Sequence, residues 1–157
     1  MKTLYAAYGS NLNKAQMAYR CPNAKPVGVT HLNDYRLVFQ GSPYGAHANV
    51  IPAKGCTVPA VVWKITAEDE KHLDIYEGVK GGYYTKEYME VEVNGETCKA
   101  LIYIMTPNPY GIPAAFYLDT IERGYADFNL PTSVLDAAVR YTCKHIKTRR
   151  KTEEETA

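Results

Sequence analysis

Short apolar stretches, each ended by a turn residue or a proline, alternate along the chain with stretches of helical period. Residues 3–8 (TLYAAY) are apolar and aromatic and predict a strand, broken at Gly9, Ser10 and Asn11. Lys14–Arg20 predicts a short helix, stopped by Cys21 and Pro22. Residues 34–39 and 48–51 read as strands, the second ended by Pro52. Residues 58–65 form a long apolar run with Pro59 near its start, where a strand tolerates proline. Ala67–Tyr76 sets Ala67, Leu73 and Tyr76 among charges, a helix with Thr66 as N-cap.

The clearest pattern lies further on. Residues 87–93 alternate, with Met89, Val91 and Val93 on one face and Glu90 and Glu92 on the other. Asn94–Gly95 is a strong hairpin turn, and residues 99–105 return as a buried strand. Two helices close the chain. Residues 114–124 place Tyr117, Leu118 and Ile121 at helical spacing, continued by Tyr125 just beyond, and residues 132–146 do the same with Leu135, Ala138, Val139, Thr142 and Ile146. Clustered strands with helices between and after them predict an α+β fold with a strongly curved or barrel-like sheet.

Composition narrows the function classes. The 157 residues fit a single domain, expected over residues 1–146, with KTRRKTEEE opening a charged, frayed tail over 147–157. The balance of 18 Lys+Arg against 17 Asp+Glu gives no electrostatic case for nucleic acid or an anionic membrane. Apolar runs are too short for a membrane span, and the N-terminal residues lack the apolar core of a secretory signal. Cys21, Cys56, Cys98 and Cys143 make no CxxC pair and have no histidine at zinc spacing. They read as reduced thiols, mostly small buried hydrophobes of a cytoplasmic protein. No metal or cofactor is expected. The 14 tyrosines against three phenylalanines are unusual. Tyrosine suits a half-wet pocket wall, although most of these read as simple replacements for Phe in strands.

Two segments carry candidate chemistry. Tyr8, Gly9, Ser10, Asn11 and Leu12 lie at a strand-to-helix junction, where glycine permits close approach and free amides make an anion site. By spacing alone, a Gly-Ser-Asn turn is more often just a cap. Glu77 lies at the C-terminal end of a helix, before Gly78. The helix dipole there disfavours its charged form, and burial among Tyr76, Tyr83 and Tyr84 raises its pKa further. Such a carboxyl suits proton transfer near neutral pH. A surface glutamate is the commoner occupant of such a position. A Cys56–His47 nucleophile pair is a third idea, but nothing in the sequence orients either residue.

The segments TLYAAYGSNLNKAQMAYRCP, HANVIPAKGCTVPAVVWKIT, LDIYEGVKGGYYTKEYMEV and PAAFYLDTIERG, in this order, resemble the gamma-glutamylcyclotransferase-like family over most of the chain. The resemblance implies a small twisted β-barrel with flanking helices. It implies attack of a gamma-glutamyl α-amine on its own γ-carbonyl, releasing 5-oxoproline and a free amine or amino acid, without cofactor or metal. Carried over by position, Tyr8, Gly9, Ser10, Asn11 and Leu12 match the substrate-binding loop. Glu77 matches the catalytic glutamate, and Tyr117 a tyrosine lining the same pocket. The implied partner is a small gamma-glutamyl substrate; a non-catalytic binding protein on the same fold is the alternative.

Overall fold

Five strands form one mixed sheet in the order β2-β3-β1-β5-β4. They are β1 (Thr3–Ala7), β2 (Lys25–Gln40), β3 (His47–Ile65), β4 (Tyr84–Val93) and β5 (Glu96–Met105). The helices are α1 (Lys14–Arg20), α2 (Ala67–Tyr76), α3 (Ala115–Asp127) and α4 (Ser133–Thr156). This computed structural model describes the backbone of residues 2–156 and the side chains of residues 2–146. The charged tail expected at 147–157 falls on side chains outside the described residues. No described helix is long and apolar enough to cross a membrane.

β1 occupies the centre, antiparallel to β3 and parallel to β5. Both faces of this central strand are also covered: consecutive residues Tyr5, Ala6 and Ala7 are buried, as is Tyr8 just after it. The hairpin at Asn94–Gly95 forms as its sequence predicts, with both turn residues at positive φ. β2 and β3 run far longer than the apolar stretches suggested. Pro52 does not end a strand: it pairs with Tyr35 beside a register shift where Asp34 (φ 64°) and Gly55 (φ 86°) turn the chain. A bulge is where a ladder can spare an N–H.

The α+β class holds, but the barrel does not close. β2 and β4 remain edges, because polar side chains rather than a ladder fill the gap between them. Thr30 Oγ1 donates to Glu92 O at 2.6 Å, and Asn94 Nδ2 to Val27 O at 3.1 Å. A groove lined by His31, Asn33, Glu90 and Glu92 separates the rest of these edges.

Among the cysteines only Cys21 is buried; Cys56, Cys98 and Cys143 are partly exposed, and all four are free thiols. The core includes Phe39, Leu37, Val62, Trp63 and Leu101 of the sheet with Ile121 and Tyr125 of α3.

Candidate active site

A cavity of about 310 Å³ opens at one end of the sheet. Its walls come from the end of β1 and the turn after it, α1, the start of β3, the end of α2, β4, β5 and α3.

The turn after β1 is a single 3₁₀ turn, Ser10–Leu12. Leu12 N donates to Gly9 O at 3.1 Å and Asn13 N to Ser10 O at 3.0 Å. The Ser10 and Asn11 amides stand ahead of the first of these bonds, as the leading amides of any helical turn do. Ser10 and Asn11 do not cap a helix. That role falls to Asn13, whose Oδ1 accepts from Gln16 N at 2.9 Å. Instead the Ser10 and Asn11 side chains are tied to α1: Gln16 Nε2 donates to Ser10 Oγ at 2.7 Å and to Asn11 Oδ1 at 3.0 Å. Asn11 Nδ2 in turn donates to the Tyr5 hydroxyl at 3.0 Å.

α3 clamps the turn from outside. Asn13 Nδ2 donates to Thr120 O, and Lys14 N to Asp127 Oδ2. Gly124 makes the approach possible, since a Cβ there would lie 2.7 Å from Asn13 N and from Leu12 Cβ.

Glu77 is placed by the end of α2. The helix starts with a capping box between Thr66 and Asp69. It ends in a Schellman motif, with Gly78 (φ 63°) donating to Ile75 O and Val79 N to Asp74 O. The helix is moored to the sheet by Asp74, which accepts from the Tyr103 hydroxyl at 2.7 Å and from Lys86 Nζ at 3.1 Å; Lys86 also bonds Glu70. Glu77 therefore faces the cavity at a helix C-terminus. Burial pushes its carboxyl up to about 7, with Arg20 pulling weakly the other way.

The structure brings Tyr8, Gly9, Ser10, Asn11, Glu77 and Tyr117 around this one cavity. It does not bring Leu12, which is fully buried against α3. The Tyr117 hydroxyl accepts from Ala48 N at 3.0 Å. Tyr5, Tyr8, Tyr76, Tyr83, Tyr84, Tyr103 and Tyr117 all line the cavity, so half of the tyrosines serve its wall rather than strands in general. Burial and the nearby Glu77 charge raise the pKa of Tyr5, Tyr8, Tyr83, Tyr84 and Tyr117. Tyr8 donates to Tyr103 O and Tyr84 to Ala48 O, both at 2.6 Å, which fixes those rings as structure.

Sequence reasoning missed Arg20 and Gln16, and gave His47 the wrong partner. Gln16 and Arg20 stand one helical turn apart on α1, a spacing visible in the sequence once the turn before it is a site. His47 does not pair with Cys56, which is outside the cavity lining. Its Nδ1 lies 2.9 Å from the Tyr83 hydroxyl, and burial lowers its pKa. No group of three or more His, Cys, Asp or Glu among the described residues could hold a metal ion.

An aromatic pocket with one carboxyl that holds its proton near neutrality defines a small-molecule site of acid–base type. Comparison with known proteins gives the family. Residues 5–129 match the family model described as gamma-glutamyl cyclotransferase, AIG2-like. The gamma-glutamylcyclotransferases of Homo sapiens and Bos taurus are each 34% identical, covering 82% of this chain and 72% of theirs. A solved gamma-glutamyl cyclotransferase superposes with a TM-score of 0.78 at 30% identity, over 92% of this chain and 86% of that one. YkqA from Bacillus subtilis superposes at 0.76 with 26% identity, over 90% of this chain and 54% of that one. The chain belongs to the gamma-glutamyl cyclotransferase, AIG2-like family, a family of enzymes.

Proposed function

We propose that this protein cyclises a gamma-glutamyl group, releasing 5-oxoproline and a free amine or amino acid, with Glu77 as the proton carrier. The observation that carries the reading is the meeting of a carboxyl of raised pKa and the Gly9–Asn11 turn around one cavity. The amides of Ser10 and Asn11 hold the glutamyl carboxylate. The enclosing walls keep the substrate folded, and holding a ring-closing geometry is worth up to ~7–11 kcal/mol in favourable cases.

Glu77 takes a proton from the α-ammonium. The freed amine attacks the γ-carbonyl, the new C–N bond closes a five-membered lactam, and the amide bond to the leaving nitrogen breaks. Glu77 returns that proton to the leaving nitrogen, and the second proton that the ring nitrogen loses on becoming a lactam passes to water. A carboxyl titrating near 7 suits both halves of this cycle. Tyr117 has its oxygen accepting from Ala48 N, which leaves its own proton to donate to substrate. The four free thiols accord with a cytoplasmic setting.

The test is a panel of gamma-glutamyl dipeptides and amines assayed for 5-oxoproline. Release that rises with pH through about 7, and is lost in Glu77→Gln, is the expected result. Tight binding of the panel with no release would make this a binding protein instead.

A further inference from the structure

Arg20 is the one permanent cation, and Glu77 the one carboxylate, among the described residues lining the cavity. The guanidinium lies 4.3 Å over the ring of Tyr76, and one of its N–H groups donates to Asn11 Oδ1 at 3.1 Å. No ion pair among the described residues includes it. The contrast with Lys86, held between Glu70 and Asp74, is informative. There the charge is consumed inside the fold; Arg20 keeps its charge for the cavity.

A guanidinium has five donors in one plane. The Tyr76 ring covers one side of it. Asn11 takes one donor, and the remaining edge of the fork suits a carboxylate bound by two parallel hydrogen bonds. Position decides which carboxylate. Tyr76, the ring against which the guanidinium lies, is 49% exposed, so Arg20 stands where the cavity meets solvent. A substrate whose glutamyl end sits at the Ser10 and Asn11 amides directs its leaving residue toward the rim.

We propose that Arg20 is a specificity-determining residue that ion-pairs the carboxylate of the leaving residue. It would thereby separate gamma-glutamyl amino acids from gamma-glutamyl amines, which lack that carboxylate. This rests on the proposed cyclotransfer and adds to it the group that recognises the departing half.

The experiment compares two substrates of similar size, gamma-glutamyl-alanine and gamma-glutamyl-ethylamide, by 5-oxoproline release. Wild-type protein should favour the alanine compound on the order of 30- to 100-fold in kcat/KM, the range of a charge-assisted pair. Arg20→Gln should collapse that ratio toward 1, chiefly through KM for the alanine compound. Arg20→Lys should restore part of it, having the charge without the fork. Thermal melts of each variant establish that it is folded. A ratio unchanged in Arg20→Gln would overturn the proposal, because Arg20 would then act on the glutamyl end or on the turn. A wild-type ratio near 1 would overturn it as well. Absence of 5-oxoproline from both substrates with wild-type protein would overturn the cyclotransfer reading, and this proposal with it.

Discussion

At the scale of single residues, Glu77 couples reactivity to stability. Its carboxyl is raised from an ordinary value near 4.5 to about 7. Between those pH values the folded chain holds a proton that the unfolded chain has released. Stability therefore falls as pH rises across that window, and the full deficit persists above it. Glu77→Gln removes the deficit. The variant should lose nearly all turnover while gaining up to ~3 kcal/mol over wild type at pH 8, with no gain at pH 4. Thermal melts at the two pH values check this, and an equal effect at both would contradict a raised carboxyl. Tyr117 is a second case. Tyr117→Phe leaves the Ala48 amide without its acceptor, costing about 1–3 kcal/mol, and removes a donor from the cavity. Melts should show that loss, with kcat/KM lower by roughly tenfold. A destabilised variant with normal kcat/KM would take Tyr117 out of the chemistry. Of these residues the sequence exposed those marked by local context, a glutamate before a helix-ending glycine and a glycine after a strand. Arg20 and His47 carry no local mark, because their partners Tyr76, Asn11 and Tyr83 reach them only through the fold.

At the scale of elements, α1 and α2 appear with the predicted bounds, because Asn13 and Thr66 cap their starts and Pro22 and Gly78 follow their ends. The β4–β5 hairpin is likewise written in Asn94–Gly95. The lengths of β2 and β3 are not, since each strand supports the other through polar stretches that neither would hold alone. Nor is Gly124 legible. Within a helix it reads as a weakness, and only the packed structure shows that it admits the turn at residues 9–13. Gly124→Ala would press a methyl against Asn13 N and the Leu12 backbone, atoms that cannot swing aside. The expected cost is about 1–3 kcal/mol of stability. KM should rise too, because α3 carries Tyr117 away from the turn it faces. Denaturant melts and KM from the same preparation test both, and an unperturbed KM would separate the α3 clamp from the site.

At the scale of the whole molecule, two side-chain hydrogen bonds cross the open gap between the edges of the sheet. Thr30→Val removes the stronger one, at a cost of about 1 kcal/mol. Amide exchange along β4 should quicken while β1 stays protected, and uniform quickening would mean that the gap does not open independently.

The position of β1 has a further result. The strand formed by residues 3–7 is the middle of the sheet, yet its partners lie near residues 61–65 and at residue 101. Pairing of this strand is therefore non-local, the kind of contact that forms more slowly than the two hairpins beside it. On a ribosome this strand is made well before residue 101, where its parallel neighbour pairs with it. The cavity, built on that strand's end, is therefore among the last features to form.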